Sequence, residues 1–309
     1  MRFVDAHVHV GLKDPELGTR VAEELERLDM GLFHCGLTPQ SWECDEHAWG
    51  AVSRVRVGAG LHPWWVQPSA LNVAFEEAVG EKRLGDVAND VSPIRDNAPC
   101  GEPEAQLLER LCWRTRYIGE IGLDFGKKTS DEARAHQLDY FGRVCGAAAA
   151  ASRETGVPRV LSIHSVRAAD CALDVLEHSG ALEACHCIFH WFSGSSDELH
   201  RAVRAGCWFS VNTMGLRTGK GREYAKLIPS NRLLTETDHE MALSCLEDLV
   251  LLEDLRDSLT HAIELLAEAR AAEPDELQAL VATNAEKLLW QEAEGGKSAP
   301  AGSNPSDYA

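Results

Sequence analysis

Eight short runs of β-branched and apolar residues recur along the chain, separated by longer stretches of helical spacing. They are Phe3–His9, Leu32–Leu37, Val55–Leu61, Tyr117–Gly122, Val157–Ile163, Cys187–Trp191, Cys207–Val211 and Arg232–Glu236. Runs of that length predict strands, and strand-then-helix alternation predicts parallel βα units. An open doubly wound sheet more usually has five or six strands, so eight favour closure. The expected fold is α/β, a TIM-like (β/α)8 barrel in a single domain.

The length of 309 residues would also allow two ordinary domains, but one large barrel accounts for nearly all of it. Residues 1–291 are assigned to the barrel. Residues 292–309, rich in Gly, Ser, Pro and Ala, have almost nothing to bury and are expected to be a disordered tail. Helices are expected over Asp14–Leu28, Asp131–Ser152, Ala169–His178, Ser195–Ala205 and Leu243–Ala269, with Ser130 and Ser195 placed as caps. The segment Asp86–Pro103 lengthens the third connection and reads as a surface excursion or a lid.

Charge narrows the function classes. A formal net charge of −19 argues against a general nucleic-acid coat or a binder of anionic membranes, both of which need a basic surface. No window approaches 18 apolar residues, and the start MRFVDAHVHV lacks the regions of a signal peptide, so a cytoplasmic location is expected. The ten cysteines are scattered without a CxxC pair and read as reduced, mostly buried thiols.

The chemistry-bearing residues fall on this rhythm. Asp5, His7 and His9 alternate along the first run, and a period of two would put them on one face. Alone, the HxH pair is a weak signal and more often a structural or surface pair. Glu120, His164, His190 and Asp238 lie at the ends of four other runs. In a barrel those ends converge, giving one ligand set: His7, His9, Glu120, His164, His190 and Asp238. Each residue singly could be a core histidine or a helix cap, but the joint pattern points to metal. Six ligands exceed the needs of one ion, so two are expected. Glu120 is the natural bridge, and Asp238 can bind one ion while accepting a proton from the nucleophilic water. Asp5 would orient the histidines from behind.

The ordered segments Val4-Asp5-Ala6-His7-Val8-His9, Gly60-Leu61-His62-Pro63, Gly119 to Phe125, Ile163-His164-Ser165, His190 to Ser195, Glu236-Thr237-Asp238 and Thr283-Asn284 together resemble the TatD-like family of metal-dependent deoxyribonucleases. The resemblance runs from Phe3 to about Trp290. It implies two divalent ions (Mg, Mn or Zn) and hydrolysis of DNA phosphodiesters, often from a 3′ end. By position, His7 and His9 would hold one ion, and His164 and His190 the other. Glu120 would bridge, Asp238 would be ligand and base, and His62 would touch the scissile phosphate or leaving group.

Two positions depart from the family pattern. Val166 stands where an Arg is common, with Arg167 one place later, and His239-Glu240-Met241 follows Asp238 in place of a small residue and Pro. The segment Leu37 to Glu43 resembles a divergent branch found in anti-phage operons, which would imply protein partners in a defence or repair operon.

Substrate contacts are sought in local charge. From Leu199 to Arg232 seven basic residues face one acid, Glu223, despite the acidic whole. Leu216 to Arg222 is expected to be a loop after the seventh strand whose Arg217, Lys220 and Arg222 guide phosphates, together with Arg167. Trp64 and Trp65 would stack bases or cap the rim. The alternative function is hydrolysis of a small amide, lactone or phosphoester by the same binuclear site. A vestigial subunit is disfavoured by the complete ligand set.

Overall fold

The computed structural model describes residues 1–50, 52–66 and 104–291. Eight strands run in the expected order: β1 Phe3–Leu12, β2 Met30–Cys35, β3 Val55–Gly58, β4 Tyr117–Asp124, β5 Val160–Val166, β6 His186–His190, β7 Trp208–Val211 and β8 Leu233–Thr235. A ninth, β9 Glu240–Leu243, was not expected. Among the described residues all pairings are parallel, in two ladders ordered β3-β2-β1-β9 and β4-β5-β6-β7-β8.

The ladders meet at two seams. At one, Ala59 bridges Ile118, and Leu61 N–H donates to Glu120 O at 2.8 Å. At the other, Asp238 N–H donates to His7 O at 3.0 Å and His9 N–H to His239 O at 2.9 Å. The architecture is a parallel α/β barrel of the TIM type. Its lower interior is filled by Val4, Ala6, Phe33, Ile188, Trp208 and Leu234, against Leu288 and Leu289 of the helix Pro274–Leu289. The larger apolar layer lies between strands and surrounding helices.

Two irregularities decide where the chemistry points. Between Asp5 and Val8, β1 takes three steps where β2 takes two, from Leu32 to His34. Between Ile118 and Ile121, β4 likewise takes three steps against two in β5. Each strand therefore carries one extra residue, a bulge that re-aims the side chains beyond it. The uninterrupted period of two expected through Asp5, His7 and His9 does not hold. Val4 and Ala6 pack in the lower interior, His7 and His9 turn to Glu120, and the Asp5 carboxylate accepts instead from Thr237 N (3.0 Å) and Thr237 Oγ1 (2.6 Å).

The helices follow the sequence with several differences; the one expected over Leu243–Ala269 begins only at Val250 and runs to Arg270, because Glu240–Leu243 pairs with β1 as a strand. Ala169–His178 matches the expected span, and the Asp131 helix runs on to Thr155. Trp42–Trp49, Glu104–Arg114 and Pro274–Leu289 are helices that the expected set lacked. The basic segment after β7 is not a loop. It forms Thr213–Leu216 and Gly219–Leu227, each begun by a side-chain cap: Asn212 Oδ1 accepts from Gly215 N, and Thr218 Oγ1 accepts from Gly221 N. The Asp86–Pro103 segment and the 292–309 tail lie outside the described residues. Among the described residues the nine cysteines are free thiols, and no helix is long and apolar enough to cross a membrane.

Candidate metal centre at the carboxyl ends of the strands

Glu120, within the β4 bulge, is the hub of the site. Its Oε1 lies 2.7 Å from His164 Nδ1, 2.8 Å from His190 Nε2 and 3.5 Å from His62 Nε2. Its Oε2 lies 3.3 Å from His9 Nε2 and 3.6 Å from His7 Nε2. Asp238 Oδ1 stands 3.6 Å from both His7 Nε2 and His9 Nε2. Six residues scattered over more than 200 positions thus share one site, and His62 joins them.

Backbone and side-chain partners set the tautomers. His9 Nδ1 is 2.7 Å from Cys35 O, and a carbonyl only accepts, so Nδ1 carries a proton and Nε2 is the nitrogen turned to the carboxylates. His7 Nδ1 is 2.6 Å from Ser162 Oγ, which leaves Nε2 facing the carboxylates. His62 is built the other way. Its Nδ1 accepts from Trp64 N at 3.1 Å, so the neutral ring carries its proton on Nε2 and aims a donor at Glu120.

Burial and charge act on these groups together. Burial opposes the charge on Glu120, but the His62 and His190 charges and hydrogen bonds from His164 and His190 hold it well below the usual carboxylate range. Asp238 resists burial through His9, His7 and His190 and sits at about 2. Burial works against a proton on His9 and His164, yet the carboxylates around them lift the rings to about 10 and about 9. Burial pulls His7 and His62 down to about 4.

The donor set fits divalent cations. Among the described residues three groups have ligand atoms within 4.8 Å of one another: His7, His190 and Asp238; His7, His9 and Glu120; His62, Glu120 and His164. Two of the three share Glu120, as a bridging carboxylate would. His164 Nε2 and His190 Nδ1 are buried without a hydrogen-bond partner among the described residues.

Two carboxylates beside the ligands carry roles that the sequence reading left unassigned. Glu236 is buried and accepts from Trp191 N and Asn212 Nδ2, both at 2.9 Å, and from Ser210 Oγ. Burial and the Asp238 charge push it well above the usual carboxylate range. Asp124 accepts from Trp64 Nε1 at 2.6 Å and from Gly126 N at 2.8 Å. Each lies on the same strand end as a ligand, two residues from Asp238 or four from Glu120, and that spacing was the available signal.

The expected substrate residues are spread around the rim. Trp64 is 61% exposed with its ring 4.7 Å from that of His62, whereas Trp65 is half-buried against the core. Arg167 and Arg217 are exposed, and Arg222 is half-buried. Lys220 Nζ donates to Ser193 O at 2.9 Å and lies over the Tyr224 ring. None of these four cations bonds to the ligand cluster among the described residues. Trp191, directly after His190, is 42% exposed and was not among the expected contacts.

Residues 4–290 match the family model described as TatD related DNase. The chain is 27% identical over 134 residues to human deoxyribonuclease TATDN3, covering 43% of this chain and 46% of that protein. It is 29% identical over 187 residues to the 3′-5′ ssDNA/RNA exonuclease TatD of Erwinia tasmaniensis, covering 56% of this chain and 65% of that protein. These alignments span about half to two thirds of the relatives' lengths. The crystal structure of YJJV, a TatD homologue from Escherichia coli K12, superposes with a TM-score of 0.61 at 17% identity, over 93% of this chain and 98% of that one.

Proposed function

The chain belongs to the TatD-related DNase family, and on that premise we propose that it is a divalent-metal-dependent hydrolase cleaving DNA phosphodiesters, exonucleolytically on single strands or 3′ ends. One observation carries the reading: four histidines converge on Glu120, Asp238 faces two of them from the other side, and His62 aims an N–H donor at Glu120.

In this reading His7 and His9 would hold one ion and His164 and His190 the other, with Glu120 as the carboxylate shared between them. Four imidazoles favour a zinc-like cation, and the carboxylates also admit Mn or Mg. Bound divalent ions supply Lewis acidity that activates water and neutralises phosphate charge. Asp238, ionised at neutral pH and half-buried at the mouth, takes the proton of the attacking water. His62 offers its Nε2–H as a hydrogen-bond donor to the phosphate or the departing oxygen. Trp64 and Trp65 stack unpaired bases, and Arg167, Arg217, Lys220 and Arg222 meet the phosphates behind them. Such local contacts suit a strand end in a protein whose net charge is −19.

The test is cleavage of 3′- and 5′-labelled single and double strands with and without chelator, beside a panel of small esters, lactones and amides. The reading expects divalent-dependent release of nucleotides from a 3′ end. Turnover of a small ester or amide with inert DNA would replace it by the small-molecule hydrolase.

A further inference from the structure

We propose that Trp64 is coupled to metal occupancy at His164 through one carboxylate oxygen of Asp124, so that a base resting on the indole and a cation held by the imidazole strengthen each other's binding. The identity of the stacked group rests on the nuclease reading above. The coupling to metal does not.

Asp124 is the buried last residue of β4. Its Oδ1 takes the backbone N–H of Gly126 at 2.8 Å. Its Oδ2 takes the indole N–H of Trp64 at 2.6 Å and lies 3.4 Å from His164 Nε2. That nitrogen is buried and makes no hydrogen bond among the described residues, while the other ring nitrogen, Nδ1, faces Glu120 at 2.7 Å. A cation held through Nδ1 leaves the ring proton on Nε2, with Asp124 Oδ2 as its acceptor. Carboxylates placed behind metal-bound histidines in this way fix the ring and raise its basicity.

One carboxylate oxygen has lone pairs for both donors, so Trp64 and His164 need not compete. The indole bond instead fixes the plane in which Oδ2 faces His164. The surroundings leave little other freedom. Gln137 Oε1 accepts from Asp124 N at 2.8 Å, and Gln137 Nε2 donates to Pro63 O at 3.1 Å, which ties β4 to the turn that carries Trp64. Trp64 itself is largely exposed, so this bond is what holds its ring beside His62. A group that stacks on the indole would favour the fixed rotamer, and by linkage any gain it gives to metal binding is returned by metal to its own binding.

The experiment is calorimetric titration of Mn²⁺ into the full chain stripped of metal, for the wild type, Trp64→Phe, Asp124→Asn and Trp113→Phe. Each titration is repeated with a phosphorothioate single-stranded oligonucleotide. Trp113 is exposed on the helix Glu104–Arg114 and serves as the control. Asp124→Asn is expected to weaken Mn²⁺ binding by roughly 10–100-fold. Trp64→Phe, which keeps an aromatic face but removes the N–H, is expected to weaken it by about fivefold or more. Trp113→Phe should bind as the wild type does, and the stripped Trp64→Phe variant should melt close to the wild type.

In the wild type the oligonucleotide tightens Mn²⁺, and Trp64→Phe removes that gain. Unchanged or tighter Mn²⁺ binding by Trp64→Phe overturns the proposal whatever the oligonucleotide does. Weakened Mn²⁺ binding by Trp64→Phe, with no oligonucleotide bound by the wild type, upholds the coupling and defeats the nuclease reading.

Discussion

The imidazole of His7 lies against that of His190 with ring centroids 3.9 Å apart and planes inclined by 13°. The two residues come from different ladders, β1 and β6, so the site spans the barrel and links its halves. Two buried rings in that stack cannot both be protonated cheaply, and burial with the His190 charge accordingly pulls His7 down to about 4.

His7→Ala and Glu120→Ala are expected to abolish divalent-dependent cleavage while the barrel stays folded. Circular dichroism and thermal melting of the stripped proteins, read beside initial rates on labelled single strands, check this. Retained cleavage in Glu120→Ala would remove Glu120 from the centre of the site.

Stability without metal should depend on pH in a defined window. His9 and His164 are raised to about 10 and about 9, so in the stripped protein their stabilising protonation is complete below the unfolded value of about 6.5. It is lost as pH rises through the folded values. Asp5, which burial lifts to about 7, acts in the same direction, and His7 and His62 titrate in a lower range. The melting temperature of the stripped protein should therefore fall from pH 6.5 to 9, and the increment restored by Mn²⁺ should grow, because metal and proton compete for the same nitrogens. A stripped protein that gains stability over that range would contradict the assignment.

Glu236→Ala should cost stability more than activity on its own account. It strands the Asn212 amide and the Ser210 hydroxyl in a buried place, at about 1–3 kcal/mol for each group left unpaired, and frees the part-buried Trp191 N–H. Urea unfolding would read this as a lower midpoint with the slope unchanged.

Arg217→Ala and Arg222→Ala are expected to raise KM for DNA with little change in kcat. Each lost phosphate contact should make the dependence of log affinity on log salt shallower by about 0.7 for a single strand. Salt titrations of binding to a phosphorothioate strand measure that slope. An unchanged slope would leave the basic helices after β7 as solvated surface.

Much of the site was legible because strand ends in a barrel converge, so His7, His164, His190 and Asp238 could be gathered from their places after apolar runs. The bulges were not legible. One extra residue in β1 and in β4 leaves no mark on the composition of VDAHVH or IGEIGL, and it shows only when the neighbouring strand sets the register. Asp124 and Glu236 were visible as carboxylates, but their partners, Trp64 Nε1 and Trp191 N, come from other strand ends. The segment after β7 looked like a loop because its glycines outweighed the caps Asn212 and Thr218, whose effect depends on geometry. The strand β9 is too short and too exposed to stand out, and it exists because β1 runs on to Leu12 and offers it an edge.

The central claim is that Glu120 joins two cations in one centre, and metal content tests it most directly. Elemental analysis and Mn²⁺ titration of the purified chain should give two divalent ions per molecule, with binding grossly weakened at both in Glu120→Ala. A single ion, or two whose affinities Glu120→Ala leaves untouched, would contradict it.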